Sequence, residues 1–486
     1  MSRALAIDLG ASSGRVTVAA LDDGKIELKE IHRFANNPVR VNGTLYWDIL
    51  SIFHEIKTGM AKAVIDGGFD TVGIDAWGVS FALIDEYGRM VDMPVHYRDD
   101  RTDDWLGLFD RIPKEEIYAV TGIQNMQVNT IFQLDYMARE RPGDIERAKA
   151  FLMFPDLINY FLTGEKLNEY TNASTTQLMD AKERAWCRPL IEKIGLDPAI
   201  FEDIVMPGAV CGKLIDSIRE ETRSKPADVY CIASHDTASA VAAIPAADGD
   251  DYMYISSGTW SLIGTELDEP LISDAAMMYN FTNEGGAQGN IRFLKNIMGS
   301  FLVQESKKQW AREGSDHSFA ELDAMCEAAP SVGSYIDVDD PLFIKTGDMP
   351  VRIVSYLEKT GQRIPRTESE IMRVIYESLA LKYRYVTEKT AECTGKEFSA
   401  MHIIGGGSQG EALCKMTANA TGLPVYAGPA EATTIGNAAV QWIASGELGS
   451  VSEAREVIRK AFPQSEYLPQ GDMDDSYERF LSVLSV

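Results

Sequence analysis

The chain has 486 residues, with 46 Lys and Arg against 73 Asp and Glu, a formal net charge of -27 at pH 7. So acidic a surface repels nucleic acid and anionic membrane, while an apolar fraction of 45% supports more than one globular core. The six cysteines form no CxxC pair, no apolar run is long enough to cross a bilayer, and the start MSRALAIDLGASSGR turns polar too soon for a signal peptide, so a reduced, cytoplasmic protein is expected.

RALAIDLGASSGRVTVAAL predicts strand, tight turn, strand, with apolar runs flanking Gly10 and Gly14. After the turn DDG, GKIELKEIHRF alternates apolar and polar residues as a third strand. LYWDILSIFHEIKTGMAKAVID has helical periodicity, with Ile49, Ile52, Phe53, Ile56 and Met60 on one face, and DTVGIDAWGVSFALIDEYG returns to strand. A hairpin-led mixed sheet with crossover helices is an α/β pattern. VYCIASHDTASAV then runs from an apolar strand through a small polar turn into a helix. Pro, Ala, Gly and Asp interrupt both patterns at 242–251, which predicts two domains, residues 1–244 and 245–486. DGDDYMYISSGTWSLIGTEL repeats the opening grammar: aligning Gly10 with Gly258 sets Asp8 opposite Ser256 and Ala11 opposite Thr259. QRIPRTESEIMRVIYESLALKYRYVTEKTAECTG predicts a long helix backing the second sheet. Finally, MHIIGGGSQGEALCKMTANATG repeats the strand–turn–helix of VYCIASHDTASAV, so each half carries the same two motifs, as an internal duplication would.

No P-loop GxxxxGK[ST] occurs, so any bound phosphate is held otherwise. Three Gly- and Ser-rich turns, GASSGR, SSGTWS and GGGSQG, offer backbone N–H groups to an anion, and the third also opens a helix. Asp8, ending the first strand beside one of them, suits water-mediated Mg2+ ligation or else stabilises its own turn. Asp236 falls at the C-terminal end of a strand, where open α/β sheets bind ligands. It reads either as a helix N-cap or, with Ser234 as the cap, as a first-turn carboxylate able to take a proton from an attacking hydroxyl. His235 beside it joins that chemistry or is a solvated or core histidine.

The blocks AIDLGASSGR, GIDAWGVSF, HYRDDRT, EYTNASTTQL, ASHDTASAV, SSGTWSLIG, TNEGGAQGNIRFLKNIMG and HIIGGGSQGEALCKMTANATG resemble, in order and spacing, those of the FGGY carbohydrate kinases. The resemblance implies an α/β, actin-like ATPase arrangement: two ribonuclease-H-like domains with mixed sheets flanking a central cleft, the N-terminal binding sugar and the C-terminal binding nucleotide. It implies phosphoryl transfer from MgATP to the primary C1 hydroxyl of a ketose, L-rhamnulose foremost. Another ketose or polyol kinase and a non-catalytic actin-like nucleotide switch are the alternatives.

Residue by residue, the resemblance assigns ATP to Ala11, Ser12, Ser13, Gly14, Arg15, Thr259, Gln304 and Gly406, and water-mediated Mg2+ to Asp8. It assigns the sugar to Gly78, His235, Asp236, Thr237 and Asn296, with Asp236 also the catalytic base. Asn296 and Gln304, eight residues apart, are expected on one helix face. Arg98, Asp99 and Arg101 of HYRDDRT fall where related kinases bind substrate, although a surface ion-pair cluster reads identically. In WGVSF, Ser80 stands where the resemblance leads one to expect an acidic residue, which implies an altered preference among sugar hydroxyls. The implied partners are a sugar and MgATP, with no nucleic acid and no membrane, in a monomer or homodimer.

Overall fold

Ser2–Leu9 and Ser13–Asp22 pair antiparallel, with Asp8 opposite Arg15 and Leu9 opposite Gly14. The next reversal uses Asp23 and Gly24 at φ 47° and 73°, both positive as a two-residue hairpin turn of this hand requires, and leads into Lys25–Ala35. The computed structural model describes residues 1–247 and 249–484, so residue 248 of the expected linker and residues 485–486 of the expected second domain lie outside the described residues.

The chain forms two compact units. The first comprises Met1–Ala247, Glu266–Phe293 and Ala432–Ala461, and the second Asp248–Thr265, Leu294–Glu431 and Phe462–Val486.

In the first unit the sheet order is Ala209–Lys213, Asp228–Cys231, Thr71–Ala76, Ser2–Leu9, Ser13–Asp22, Lys25–Ala35. The three inner strands Asp228–Cys231, Thr71–Ala76 and Ser2–Leu9 run parallel, and the flanking pairs are antiparallel. Ile49–Ile65 is a helix because its apolar residues recur at helical spacing and Asp48 caps it, accepting from the Ser51 N–H at 3.1 Å. Ile49, Ile52, Ile56 and Met60 are buried, with Phe53 at the margin; Leu45 and Tyr46 belong instead to the short strand Thr44–Tyr46.

The run DTVGIDAWGVSFALIDEYG is two strands, not one. Thr71–Ala76 joins the large sheet, while Phe81–Ile84 pairs with Ala150–Met153. Val79 between them has φ 62°, its N–H donates to Thr175 Oγ1 at 3.0 Å, and its carbonyl accepts from Thr130 Oγ1 at 2.8 Å and Gln133 Nε2 at 3.0 Å. These side-chain partners replace ladder bonds and let a β-branched residue hold a left-handed backbone.

In the second unit Tyr252–Ser257 pairs antiparallel with Trp260–Leu267 and parallel with Ala400–Ile404, which continues to Val425–Ala427 and Ser465–Tyr467. Both sheets are therefore mixed, and the α/β class read from the sequence holds in each unit. The helix Glu368–Thr394, capped by Thr367 and ended by Gly395 at φ 69°, packs on helices Phe319–Ala328 and Glu411–Thr421. It also reaches the sheet, through Tyr383 Oη 2.8 Å from Ser261 Oγ.

Candidate active site

The strand Asp228–Cys231 feeds a four-residue turn, and the helix Asp236–Ala242 starts at Asp236 with His235 as N-cap. Ser234 is not the cap that the sequence suggested. Its N–H and Oγ both donate to Glu169 Oε2, at 3.1 and 2.6 Å, because a buried carboxylate is the stronger acceptor. Asp236 Oδ1 accepts from the Thr237 N–H at 2.6 Å and Thr237 Oγ1 at 3.2 Å. Its side chain is 30% exposed, so a substrate can reach it. Burial raises its pKa above the ordinary carboxylate range, His235 opposes that rise, and Asp8 adds to it.

Glu169 was not singled out in the sequence, yet it organises this turn. Fully buried, it also accepts from the Thr171 N–H at 2.8 Å, Thr171 Oγ1 at 2.6 Å and the Asn172 N–H at 3.1 Å. Thr171 Oγ1 in turn accepts from the His235 N–H at 3.1 Å. The block EYTNAS thus straps a short helix, Tyr170–Ser174, to the backbone that carries Asp236. An acidic residue directly before a Thr-rich helix start was the available signal.

Asp8 and Asp75 occupy one register on neighbouring parallel strands. Asp8 Oδ2 accepts from the Arg15 guanidinium at 2.6 Å and Thr434 Oγ1 at 3.2 Å, and Asp75 Oδ2 accepts from Asn437 Nδ2 at 2.6 Å. Gln441, one helical turn beyond Asn437, donates to the Leu5 carbonyl at 3.2 Å. Thr434, Asn437 and Gln441 form a buried polar stripe on the helix Ala432–Ala444, which fixes both carboxylates. Burial foremost, then Asp8 and Asp236, pushes the pKa of Asp75 well above the ordinary range. Asp75 Oδ1 is buried with no hydrogen-bond partner among the described residues. Of the remaining turn residues, Gly10 N–H donates to the Ser13 carbonyl at 2.9 Å, and Ala11, Ser12 and Ser13 stand partly or fully exposed.

Beside the Asp236 turn, to which Ala76 is joined by its N–H donating to the Ser234 carbonyl at 2.9 Å, Gly78 lies against Thr175. Ser80 is fully buried, and its Oγ accepts from the indoles of Trp77 at 2.9 Å and Trp47 at 3.2 Å. The Ser80 N–H also donates to the Gly78 carbonyl at 2.8 Å, so Ser80 ties the indoles to the Gly78 turn. The HYRDDRT block is part surface and part interior: Asp100 pairs with exposed Arg40 at 3.6 Å, whereas its neighbours turn inward. Asp99 is buried and accepts from the Leu45 and Arg101 N–H groups at 2.7 and 3.1 Å, and Arg101 donates to Gln133 Oε1 at 2.5 Å. Burial lowers the pKa of Arg101 to about 10 and that of His96 to about 3.

The second unit holds a cavity of about 610 Å³ lined by Ser257, Gly258, Gln304, Phe319, Tyr376, Gly406 and Leu413. Gln304 donates to Ser300 Oγ at 2.9 Å, and Ser300 Oγ donates to the Gly258 carbonyl at 2.6 Å. The Thr259 carbonyl accepts from the Phe301 N–H at 3.2 Å, so the turn beside the cavity is tied to the start of helix Phe301–Glu313. Asn296 and Gln304 do not share a helix face: Asn296 lies in the strand Ile291–Met298 and Gln304 in that helix. The break at Gly299–Ser300 decides this, since both N–H groups bond back to the Gly258–Thr259 turn instead of continuing a helix.

No group of three or more His, Cys, Asp or Glu side chains arranged to hold a metal occurs among the described residues. Nor is any of their helices long and apolar enough to cross a membrane. Residues 3–242 match the model of the FGGY family of carbohydrate kinases, N-terminal domain, and residues 253–445 match that of its C-terminal domain. The chain is 42% identical to the rhamnulokinase of Oceanobacillus iheyensis over 466 residues, covering 95% of this chain and 97% of that one. It is 42% identical to the rhamnulokinase of Halalkalibacterium halodurans over 471 residues, covering 96% and 99%. Among solved structures, a ligand-bound xylulose kinase from Lactobacillus acidophilus superposes with a TM-score of 0.80 at 14% identity, covering 99% of this chain and 96% of that one. The ADP complex of Plasmodium falciparum glycerol kinase superposes at 0.76 with 15% identity, covering 99% and 96%. At such identities these two structures speak to fold alone.

Proposed function

The chain belongs to the FGGY family of carbohydrate kinases, and from that premise we propose that it transfers the terminal phosphoryl of ATP to the C1 hydroxyl of L-rhamnulose in rhamnose metabolism. The observation that carries the chemistry is the partly exposed carboxylate of Asp236, raised in pKa by burial at the start of a helix. The identity to rhamnulokinases over nearly their whole length supports the choice of sugar. In this reading the C1 O–H bond breaks, its proton passes to Asp236, the oxygen bonds to phosphorus, and the bond to the departing ADP oxygen breaks. In the first unit His235, Thr237 and Gly78 hold the ketose; the resemblance also assigns Asn296, of the second unit, to the sugar. Thr259, Gln304 and Gly406 hold nucleotide at the second unit's cavity, and Ala11 to Arg15 offer N–H groups and a guanidinium to phosphate.

Asp8 and Asp75 fit a Mg2+ ion, which takes one or two carboxylates together with waters and phosphate oxygens. The buried, unpartnered Oδ1 of Asp75 supports that fit. When bound, such an ion neutralises charge on the phosphates. We place the enzyme in the cytoplasm, as a monomer or homodimer.

An ADP-release assay across L-rhamnulose, L-fuculose, L-ribulose, D-xylulose and glycerol tests the reading. The highest kcat/KM is expected on L-rhamnulose, and a higher value on another sugar would replace the acceptor. Asp236→Asn is expected to lower kcat on every sugar by about 10²–10⁴-fold while ATP still binds. Undiminished turnover would remove the base.

A further inference from the structure

His235 stands between two charged groups of opposite sign. Its Nε2 faces Asp236 Oδ1 at 3.5 Å, and its Nδ1 faces a terminal nitrogen of Arg292 at 2.9 Å. A guanidinium only donates and keeps its protons in proteins, so at that distance Nδ1 is the acceptor. The ring proton of neutral His235 then sits on Nε2.

One competitor has to be weighed. Glu284 Oε2 lies 3.4 Å from Nδ1 and would accept a proton held there. That separation is longer than a good N–H···O bond, whereas the Arg292 contact is within range, and two N–H groups cannot point at each other across 2.9 Å. Glu284 instead accepts from Arg292 at 3.1 Å, and Arg292 Nε donates to the Gly285 carbonyl at 2.8 Å. The guanidinium is thereby aimed at the imidazole.

This arrangement is a poor device for stability alone. Arg292 is fully buried, and its other terminal nitrogen has no hydrogen-bond partner among the described residues. Buried ion pairs are commonly replaceable by apolar side chains without loss of stability.

We propose that Arg292 and Glu284 are positioning residues of the transfer step: they hold His235 with its proton on Nε2, so that this edge, which faces Asp236, donates to an acceptor oxygen of the ketose. The proposal rests on Asp236 as the base. Asp236 Oδ1 accepts from the N–H and Oγ1 of Thr237, while Nε2 faces it at 3.5 Å, beyond a good hydrogen bond, so the Nε2 proton is left for the ketose and Oδ2 for the substrate proton. The opposite tautomer would set a nitrogen lone pair against the carboxylate and let it swing.

The test is ¹⁵N NMR of the histidine-labelled full chain, with His235 assigned among the six histidines by His235→Gln. The parent is expected to show a protonated Nε2 and a bare Nδ1. Arg292→Met keeps volume but removes the donor. It is expected to shift the tautomer and lower kcat by about 10²-fold, the cost of misplacing a reacting group, with KM for ATP unchanged. Arg292→Lys restores one donor and is expected to recover much of both, while Glu284→Gln gives a smaller fall. A protonated Nδ1 in the parent overturns the proposal, as does a shifted tautomer with full kcat, or a fall in kcat without a shift. If Arg292→Met fails to fold, the parent spectrum and Glu284→Gln decide. Because the spectrum needs no turnover, a parent that phosphorylates no ketose would sink the kinase reading while the tautomer is still read.

Discussion

The two hairpins that open the two sheets differ in turn length and in charge. Gly10 N–H donates to the Ser13 carbonyl three residues on, and Gly258 N–H donates to the Trp260 carbonyl two residues on, both at 2.9 Å. The first strand carries Asp8 next to its last residue, ion-paired to Arg15; the second carries Ser256 at the aligned position, followed by Ser257 at the cavity wall. A carboxylate beside a phosphate is repulsive unless a cation intervenes. In the proposed reading one hairpin serves the cation and the other the nucleotide's phosphates, so two similarly placed turns need not share a task.

Exchanging those charges breaks the comparison most directly. Asp8→Asn is expected to lower kcat by about 10²-fold, as loss of one preorganised charged group does, with ATP affinity little changed in a fluorescence titration. Ser256→Asp should do the reverse, weakening ATP about tenfold through like-charge repulsion while the sugar side still binds. Equal effects of the two variants on both ligands would show that the hairpins are interchangeable.

Packing contrasts come next. A Cβ at Gly436 would lie 1.7 Å from the Ser239 backbone carbonyl, and one at Gly407 would lie 1.9 Å from Ser257 Oγ. Backbone cannot rotate away, so Gly436→Ala is expected to cost about 3 kcal/mol in chemical denaturation, the upper end for overpacking, and Gly407→Ala about 1 kcal/mol. Gly407→Ala should nevertheless weaken ATP, because Gly407 and Ser257 both line the second unit's cavity.

The smallest effect is a gain. The raised pKa of Asp75 means that the folded state binds that proton more tightly than the unfolded chain. This contribution is complete below the ordinary carboxylate range and is lost as pH rises through the raised folded value. Asp75→Asn is therefore expected to be more stable than the parent at neutral pH by about 1 kcal/mol, with the difference vanishing in acid and kcat reduced. Thermal melts at several pH values would check it; an equal advantage in acid would contradict the titration.

Much of this was legible in the chain. The hairpins, the helix Ile49–Ile65, the long helix Glu368–Thr394 and both strand–turn–helix segments follow from periodicity and turn chemistry. The EYTNASTTQL block was legible as a motif but not as a strap, since nothing local says that Glu169 accepts from Ser234, 65 positions away. Thr434, Asn437 and Gln441 read as one face of an Ala-rich helix. Their meeting with Asp8 and Asp75, more than 360 residues earlier, is invisible to any local pattern. The Asn296–Gln304 spacing misled because eight residues make two turns only if a helix runs between them.

By itself, the sequence determined element types, turn positions and the family, because apolar periodicity, glycine placement and short polar motifs act over a few residues. Only the tertiary structure decided which carboxylates are buried together, which arginine meets which edge of His235, and where Ser80 is turned. Those depend on side chains distant in the chain sharing one low-dielectric space, where a single donor at 2.9 Å settles a proton's position.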